Sequence, residues 1–255
     1  MLLAIDVGNT NITLGVFDKE EMKMTWRLET DIHRMPDEYA ITLINLLELS
    51  ELSVKDIKEV SLCSVVPSLI ATFEEVFRRY FRVSPLVVGP GIKTGVGIRL
   101  DNPKEAGADR IVHAAAAHHL YGGPVIVVDM GTATTFDTVS KEGDHLGGAI
   151  APGIATAAEA LFTRAAQLYR VQMLPPKRAI GTSTATAMQS GIIFGYVGLI
   201  EGIVTRIQKE LPEKAKVVAT GGYAEVIAKE TKIFDALEPE LVLIGLRLIY
   251  EMNRA

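Results

Sequence analysis

The sequence predicts an α/β fold assembled from two related halves. Three observations carry that expectation. β-Branched apolar runs alternate with helix-like segments along the whole chain. No low-complexity tract or Gly/Ser linker interrupts the alternation. A strand–turn–strand pattern also occurs twice, half a chain apart. Its first copy is Leu3-Ala4-Ile5-Asp6-Val7-Gly8-Asn9-Thr10-Asn11-Ile12-Thr13-Leu14. Its second is Ile126-Val127-Val128-Asp129-Met130-Gly131-Thr132-Ala133-Thr134-Thr135-Phe136-Asp137. In each, a buried strand ends in Asp, one apolar residue and Gly, then hydroxyl or amide side chains. The glycine is expected to supply the unusual backbone angle of a tight hairpin. The repeat places a boundary near Gly122, giving domains 1–121 and 122–255.

Strands are expected at Leu2–Asp6, Ile12–Asp18, Glu59–Val65, Pro85–Val88, Val125–Asp129, Thr135–Ser140 and Lys216–Thr220. Helices are expected at Asp37–Glu48, Ser68–Phe81, Pro103–Leu120, Ile154–Gln167, Thr184–Glu210, Tyr223–Glu230 and Pro239–Asn253. Asn102 reads as the N-cap of the Pro103 helix, with the proline at its first position. Gly122-Gly123-Pro124 supplies the stop at the other end.

Composition narrows the function. The chain has 255 residues, 48% apolar and 22% charged, the balance of a globular protein long enough to bury a large core. A net charge of −5 gives no basic footprint for nucleic acid. The single cysteine, Cys63, rules out an internal disulfide framework and fits a reducing compartment. It reads as a small apolar residue of a buried strand rather than as a reactive thiol. The chain opens directly on a strand, and its longest apolar run, Gly191 to Ile200, is too short to span a bilayer. No membrane partner and a cytoplasmic location are therefore expected.

The paired hairpins suit a nucleotide phosphate. Gly8, Asn9, Thr10 and Asn11 offer donors in one copy, and Gly131, Thr132 and Thr134 in the other. Asp6 and Asp129 stand at strand ends, where a carboxylate can hold a metal ion or a metal-bound water. A third cluster, Thr220-Gly221-Gly222-Tyr223, follows a strand and opens a helix, a turn that lets a ligand approach the backbone. No Walker A pattern is present.

These three clusters, in this order, resemble the phosphate-1, phosphate-2 and adenosine motifs of the actin, Hsp70 and sugar-kinase superfamily. That resemblance implies two ribonuclease-H-like (actin-like ATPase) domains with ATP in a cleft between them. Within the superfamily, Gly89-Pro90-Gly91-Ile92-Lys93-Thr94-Gly95 and Asp101-Asn102-Pro103-Lys104-Glu105-Ala106-Gly107-Ala108-Asp109-Arg110 are similar to type III pantothenate kinase. So are Gly147 to Gly153 and Gly181-Thr182-Ser183-Thr184.

The resemblance implies ATP-dependent phosphorylation of pantothenate to 4′-phosphopantothenate, the first step of coenzyme A biosynthesis. Asp109 is then the general base, placed by sequence in the second turn of the Pro103 helix. Gly107, Ala108, Asp109, Arg110 and Thr184 contact pantothenate. Asp6, Val7, Gly8, Asn9, Thr10, Asn11, Ile12, Thr13, Thr132, Gly221 and Gly222 bind ATP. Asp129 holds a monovalent cation, K⁺ or NH₄⁺, and Asp6 anchors Mg²⁺ through water. A homodimer is implied as well, with pantothenate near its interface. The chain departs from many relatives at Leu100, where an aromatic residue is usual. Lys93 reads equally as a phosphate ligand or an exposed lysine. His113 could tune Asp109 or simply pack, and His118 and His119 read as structural or surface residues. Glycines 191, 195, 198 and 202 imply close helix packing, within the second domain or between subunits. Two other readings stand beside the leading one. They are a regulatory accessory protein on the same fold and a kinase of this fold with another hydroxyl substrate.

Overall fold

A computed structural model of the chain describes residues 1–165 and 167–254. Its contacts divide it into two compact units, each around a five-stranded mixed sheet. The first unit comprises residues 1–96, 104–116 and 241–255, and the second 97–103 and 117–240. The partition differs from 1–121 and 122–255 chiefly because the C-terminal helix belongs with the first sheet.

In the first unit, β1 (Leu2–Val7) pairs antiparallel with β2 (Asn11–Asp18), and β2 with β3 (Glu21–Glu29). On its other side β1 runs parallel to β4 (Glu59–Ser64), which is parallel to β5 (Leu86–Val87). The order is β3-β2-β1-β4-β5. β1 is covered on both faces, so it reads as an unbroken apolar run. Leu3, Ile5 and Val7 point to a core shared with Tyr39 and Leu43 of α1 (Pro36–Leu49) and Phe73 of α2 (Pro67–Val76). Leu2 and Ala4 point the other way, to a core shared with Val112 of α3 (Ala108–Tyr121) and Leu243 and Leu246 of α7 (Leu241–Asn253). Side chains alternate along a strand, so Asp6 follows Leu2 and Ala4 onto the face covered by the start of α3.

α7 approaches this sheet very closely. A side chain at Gly15 would lie 2.7 Å from Leu243, and one at Gly245 would lie 2.7 Å from Val112. The buried Ser61 hydroxyl donates to the Leu246 carbonyl at 3.0 Å.

The second unit repeats the topology. β6 (Val125–Met130), β7 (Ala133–Val139) and β8 (His145–Pro152) are antiparallel, and β9 (Lys216–Thr220) and β10 (Ala236–Leu237) are added in parallel. The order β10-β9-β6-β7-β8 mirrors the first sheet. Ile126, Val128 and Met130 pack on α4 (Ile154–Arg164), α5 (Thr184–Glu210) and α6 (Ala224–Ala228). Asp129 consequently lies on the opposite face.

Several expectations need correction. Pro103–Glu105 forms only a 3₁₀ turn, and α3 begins at Ala108. The expected Ser68–Phe81 helix is α2 continued by a π-helical turn over Phe77–Phe81, stopped by Arg82 in the left-handed region. The expected Ile154–Gln167 helix ends at Arg164, and its position 166 lies outside the described residues. Strands β3, β8 and β10 were not expected. By length and composition alone α5 could cross a membrane, and 39% of its apolar window is buried in the chain.

Candidate active site

The hairpins differ in one residue. Asp6 stands opposite Thr13 and Asp129 opposite Thr135. Four residues separate Val7 from its partner Ile12, whereas three separate Met130 from Thr134. The two copies therefore slip by one after the glycine, and it is the Asp–Thr cross-strand pair that repeats.

Neither Gly8 nor Gly131 has a positive φ, contrary to expectation. Their amides close the turns instead. Gly8 N–H donates to the Asn11 carbonyl at 3.0 Å, and Gly131 N–H to the Ala133 carbonyl at 3.0 Å. Those amides are thus spent, and the exposed residues Asn9, Thr10, Asn11 and Thr132 carry the outward-facing part of each turn.

Each turn is pinned by the residue that follows its third strand. Thr30 N–H donates to the Thr10 carbonyl at 2.9 Å, and its hydroxyl to the Gly8 carbonyl at 2.7 Å. In the second unit Gly153 N–H and the Thr156 hydroxyl both donate to the Thr132 carbonyl, at 3.1 and 2.9 Å. A side chain at Gly153 would overlap the carbonyls of Gly131 and Thr132. Sequence reading missed Thr30 and Thr156; only their position after a strand could have pointed to them.

The acceptor segment places Asp109 in the first turn of α3, not the second turn of a longer helix. Its Oδ1 accepts from the Arg110 amide at 2.8 Å, and a Cβ on Gly107 would come within 2.5 Å of that oxygen. Gly107 therefore leaves room for the carboxylate. A carboxylate at a helix N-terminus is held by the local amides and the dipole. Asp6 and Asp109 both act electrostatically on Cys63. Cys63 is opposite Asp6 in the parallel ladder and fully buried. Burial first, then the negative charges of Asp6 and Asp109, push its thiol well above its ordinary value. Its reading as an inert core residue stands, and the charges that act on it are those of Asp6 and Asp109.

In the second unit Asp129 is flanked by Thr135 on β7 and Thr220 on β9. Gly221 has φ +91, and any Cβ there would overlap the Asp129 carboxylate. The glycine turn after β9 is thereby packed directly on Asp129. Thr184 stands elsewhere in this unit. It lines an open, largely apolar groove of about 1000 Å³ together with Ser183, Met188, Ile192 and Tyr196, and the groove lining includes none of Asp129, Thr132 or Gly221. Ser183 caps α5 by accepting from the Thr186 amide at 3.2 Å.

Other candidates resolve simply. Lys93 is exposed, with its backbone tied to the Asn253 side chain at 3.0 and 2.7 Å. His113 is buried, and His118 bonds the Lys141 carbonyl at 3.1 Å. Added Cβ atoms at Gly191, Gly195 and Gly198 would meet nothing within 4 Å, so these glycines serve no close packing among the described residues. No group of three or more His, Cys, Asp or Glu among the described residues could hold a metal ion.

The sequence profile of type III pantothenate kinases matches residues 2–206. The chain belongs to the type III pantothenate kinase family. A family member from Dehalococcoides mccartyi, strain CBDB1, is 54% identical over 253 residues, covering 99% of this chain and 96% of that protein. A crystal structure from Campylobacter jejuni, described under a Baf family of transcriptional activators, superimposes with a TM-score of 0.63. It shares 22% identity and covers 98% of both chains. The inorganic polyphosphate/ATP-glucomannokinase of Arthrobacter sp. strain KM superimposes with a TM-score of 0.53 at 13% identity, covering 99% of both chains. At these identities the two structures share the fold, that of the actin-like ATPases and sugar kinases, and nothing more specific.

Proposed function

We propose that this chain transfers the γ-phosphoryl group of ATP to the primary hydroxyl of pantothenate, giving 4′-phosphopantothenate and ADP. The observation that carries the reading is 54% identity, over nearly the whole chain, to a protein named type III pantothenate kinase. The placing of Asp109 in the first turn of α3 fits the chemistry. The substrate hydroxyl forms a bond to γ-phosphorus as the bond to the β-phosphate oxygen breaks, and the hydroxyl proton passes to Asp109. Phosphoryl transfer is dominated by positioning and charge stabilisation. A carboxylate fixed in the first turn of a helix provides such positioning. Gly107, Ala108 and Arg110 are assigned to pantothenate with Asp109, Arg110 as partner of the substrate carboxylate. Asn9, Thr10 and Asn11, with the rest of 6–13, are assigned to the ATP phosphates, as is Thr132; Gly221 and Gly222 are assigned to the adenosine side.

The residues present fit the cations that such a reaction uses. Magnesium is commonly held by one or two carboxylates plus the substrate phosphates, and Asp6 provides one carboxylate without any protein cage. Asp129 sits between two threonines, an all-oxygen setting suited to a hard monovalent cation. Bound cations would neutralise charge on the phosphates. A homodimer is proposed on the open glycine face of α5, which also carries Thr184 at its start.

The test is ADP release by purified protein with ATP and Mg²⁺, with and without pantothenate, in K⁺ and again in Na⁺. Pantothenate-dependent release supports the reading. Release that depends on another alcohol, or none with any acceptor, overturns it. Release that is indifferent to K⁺ removes the cation assignment of Asp129 alone.

A further inference from the structure

Tyr196 of α5 is buried in the core of the second unit, and its hydroxyl has had no role so far. That hydroxyl donates to the Pro152 carbonyl at 2.7 Å and to the Gly153 carbonyl at 3.0 Å. Its one proton is shared between them, with the shorter limb on Pro152. Burial pushes the phenol above its ordinary 10.0, so at neutral pH it stays protonated and remains a donor.

The Pro152 carbonyl and the Gly153 amide belong to one peptide unit, which is planar and stiff. The bond is trans, so its C=O and N–H point in opposite directions. The carbonyl end accepts from Tyr196, and the Gly153 N–H at the other end donates to the Thr132 carbonyl at 3.1 Å. Two separate donor protons therefore link the Tyr196 ring to the turn after β6 through a single rigid plate. A bond accepted at the carbonyl end also polarises the N–H end and strengthens the bond that it makes.

The surroundings of the plate fit a role in holding that turn. β8 ends at Pro152 and α4 begins at Ile154, so the plate lies at their junction. The Gly153 carbonyl also accepts from the Ala157 amide at 2.9 Å, which ties the plate to the first turn of α4. Thr156 from that same turn of helix puts its hydroxyl on the Thr132 carbonyl. A phenylalanine at 196 would fill the core equally well and would leave the Pro152 carbonyl without the tyrosine donor, so what the hydroxyl adds is the hold on this junction.

We infer that Tyr196 is a positioning residue for the Thr132 turn: its hydroxyl fixes the Pro152–Gly153 peptide, and that peptide fixes the Thr132 carbonyl. This rests on the reading of Thr132 as an ATP ligand. In Tyr196→Phe the ring keeps its place while the plate is free to tilt, and the nucleotide must then order the turn itself. ATP binding should weaken by what one hydrogen bond contributes, about fivefold. The residues assigned to pantothenate stand apart from this path. Those at 107–110 belong to the first unit, and Thr184 lies about three turns from Tyr196 along α5.

The experiment compares wild type, Tyr196→Phe and Ser190→Ala. Ser190 is the matched control: a buried hydroxyl on the same helix that donates to the Ala179 carbonyl at 2.6 Å, away from the turn. The readouts are KM for ATP and for pantothenate, from ADP release, and the rise in melting temperature with ATP and Mg²⁺ in the absence of pantothenate. Without nucleotide both variants should melt roughly 2–4 °C below wild type, each having lost one hydrogen bond. Tyr196→Phe alone should need about fivefold more ATP in both readouts, with KM for pantothenate held within about twofold. Ser190→Ala should keep the wild-type ATP dependence. Unchanged ATP dependence in Tyr196→Phe overturns the inference, as does an equal shift in both variants or in both KM values. Loss of a cooperative melting transition in Tyr196→Phe also overturns it, because the hydroxyl would then be holding the fold and not the turn. So does a wild-type melting temperature that ATP does not raise. The melting readout needs no turnover. An absence of pantothenate-dependent ADP release therefore defeats the proposed function while leaving this comparison decisive on its own.

Discussion

Gly221→Ala puts the packing around Asp129 under direct strain. Gly221 sits at φ +91, where a non-glycine residue costs about 1–3 kcal/mol. The new Cβ would also overlap the Asp129 carboxylate and approach the Met130 amide nitrogen to 2.6 Å. The Asp129 side chain could swing away, but the Met130 backbone cannot, so the turn or the end of β6 must move. Overpacking of that kind adds about 1–3 kcal/mol. The sum, about 2–6 kcal/mol, corresponds to a fall in melting temperature of roughly 4 °C or more for a chain of this size. Gly222→Ala is the matched control, because its added Cβ meets nothing within 4 Å and its φ is not positive. It should change stability by less than about 0.5 kcal/mol. Thermal unfolding followed by circular dichroism reads both variants, and ADP release against ATP concentration reads their function. Gly221→Ala should also lose ATP affinity and K⁺ response. If the two alanine variants melt together and turn over alike, the close packing of Gly221 on Asp129 is not what holds this turn.

Three further outcomes are expected. Asp109→Asn should lower kcat by about 10²–10⁴-fold with ATP binding retained, measured by ADP release and by nucleotide titration of the same preparation. Thr30→Val loses the 2.7 Å bond to the Gly8 carbonyl, a net interaction of about 1 kcal/mol, so KM for ATP should rise about fivefold while KM for pantothenate holds. Cys63 should resist thiol reagents in the folded protein. Because its folded value lies well above its ordinary 9.0, the unfolded chain releases that proton first as pH rises. The contribution is fully present below about 9 and is lost above it, so Cys63→Ala should flatten the alkaline fall in stability seen by denaturant titration.

Much of the fold was legible because apolar alternation is strong where strands are buried on both faces. β1, β4, β6 and β9 all fall where the apolar runs lie. β3, Glu-Met-Lys-Met-Thr-Trp-Arg-Leu-Glu, is an edge strand rich in charge, and its alternation is too polar to register. β8 carries Gly147 and Gly148, which look like loop residues and instead build the bulge and the close strand approach. Asn102-Pro103 is a good helix-start signal, yet Gly107 breaks the run and the helix waits until Ala108. The hairpin aspartates were visible from their repetition. Thr30 and Thr156 were not, because each acts on a carbonyl 22 and 24 residues away in sequence, respectively.

The central claim is transfer of phosphate to pantothenate itself. Mass spectrometry of a reaction containing ATP, Mg²⁺, K⁺ and pantothenate tests it most directly. The account predicts a product heavier than pantothenate by one phosphoryl group, formed in step with ADP and absent with Asp109→Asn. ADP without phosphorylated pantothenate, or the same yield from Asp109→Asn, would contradict it.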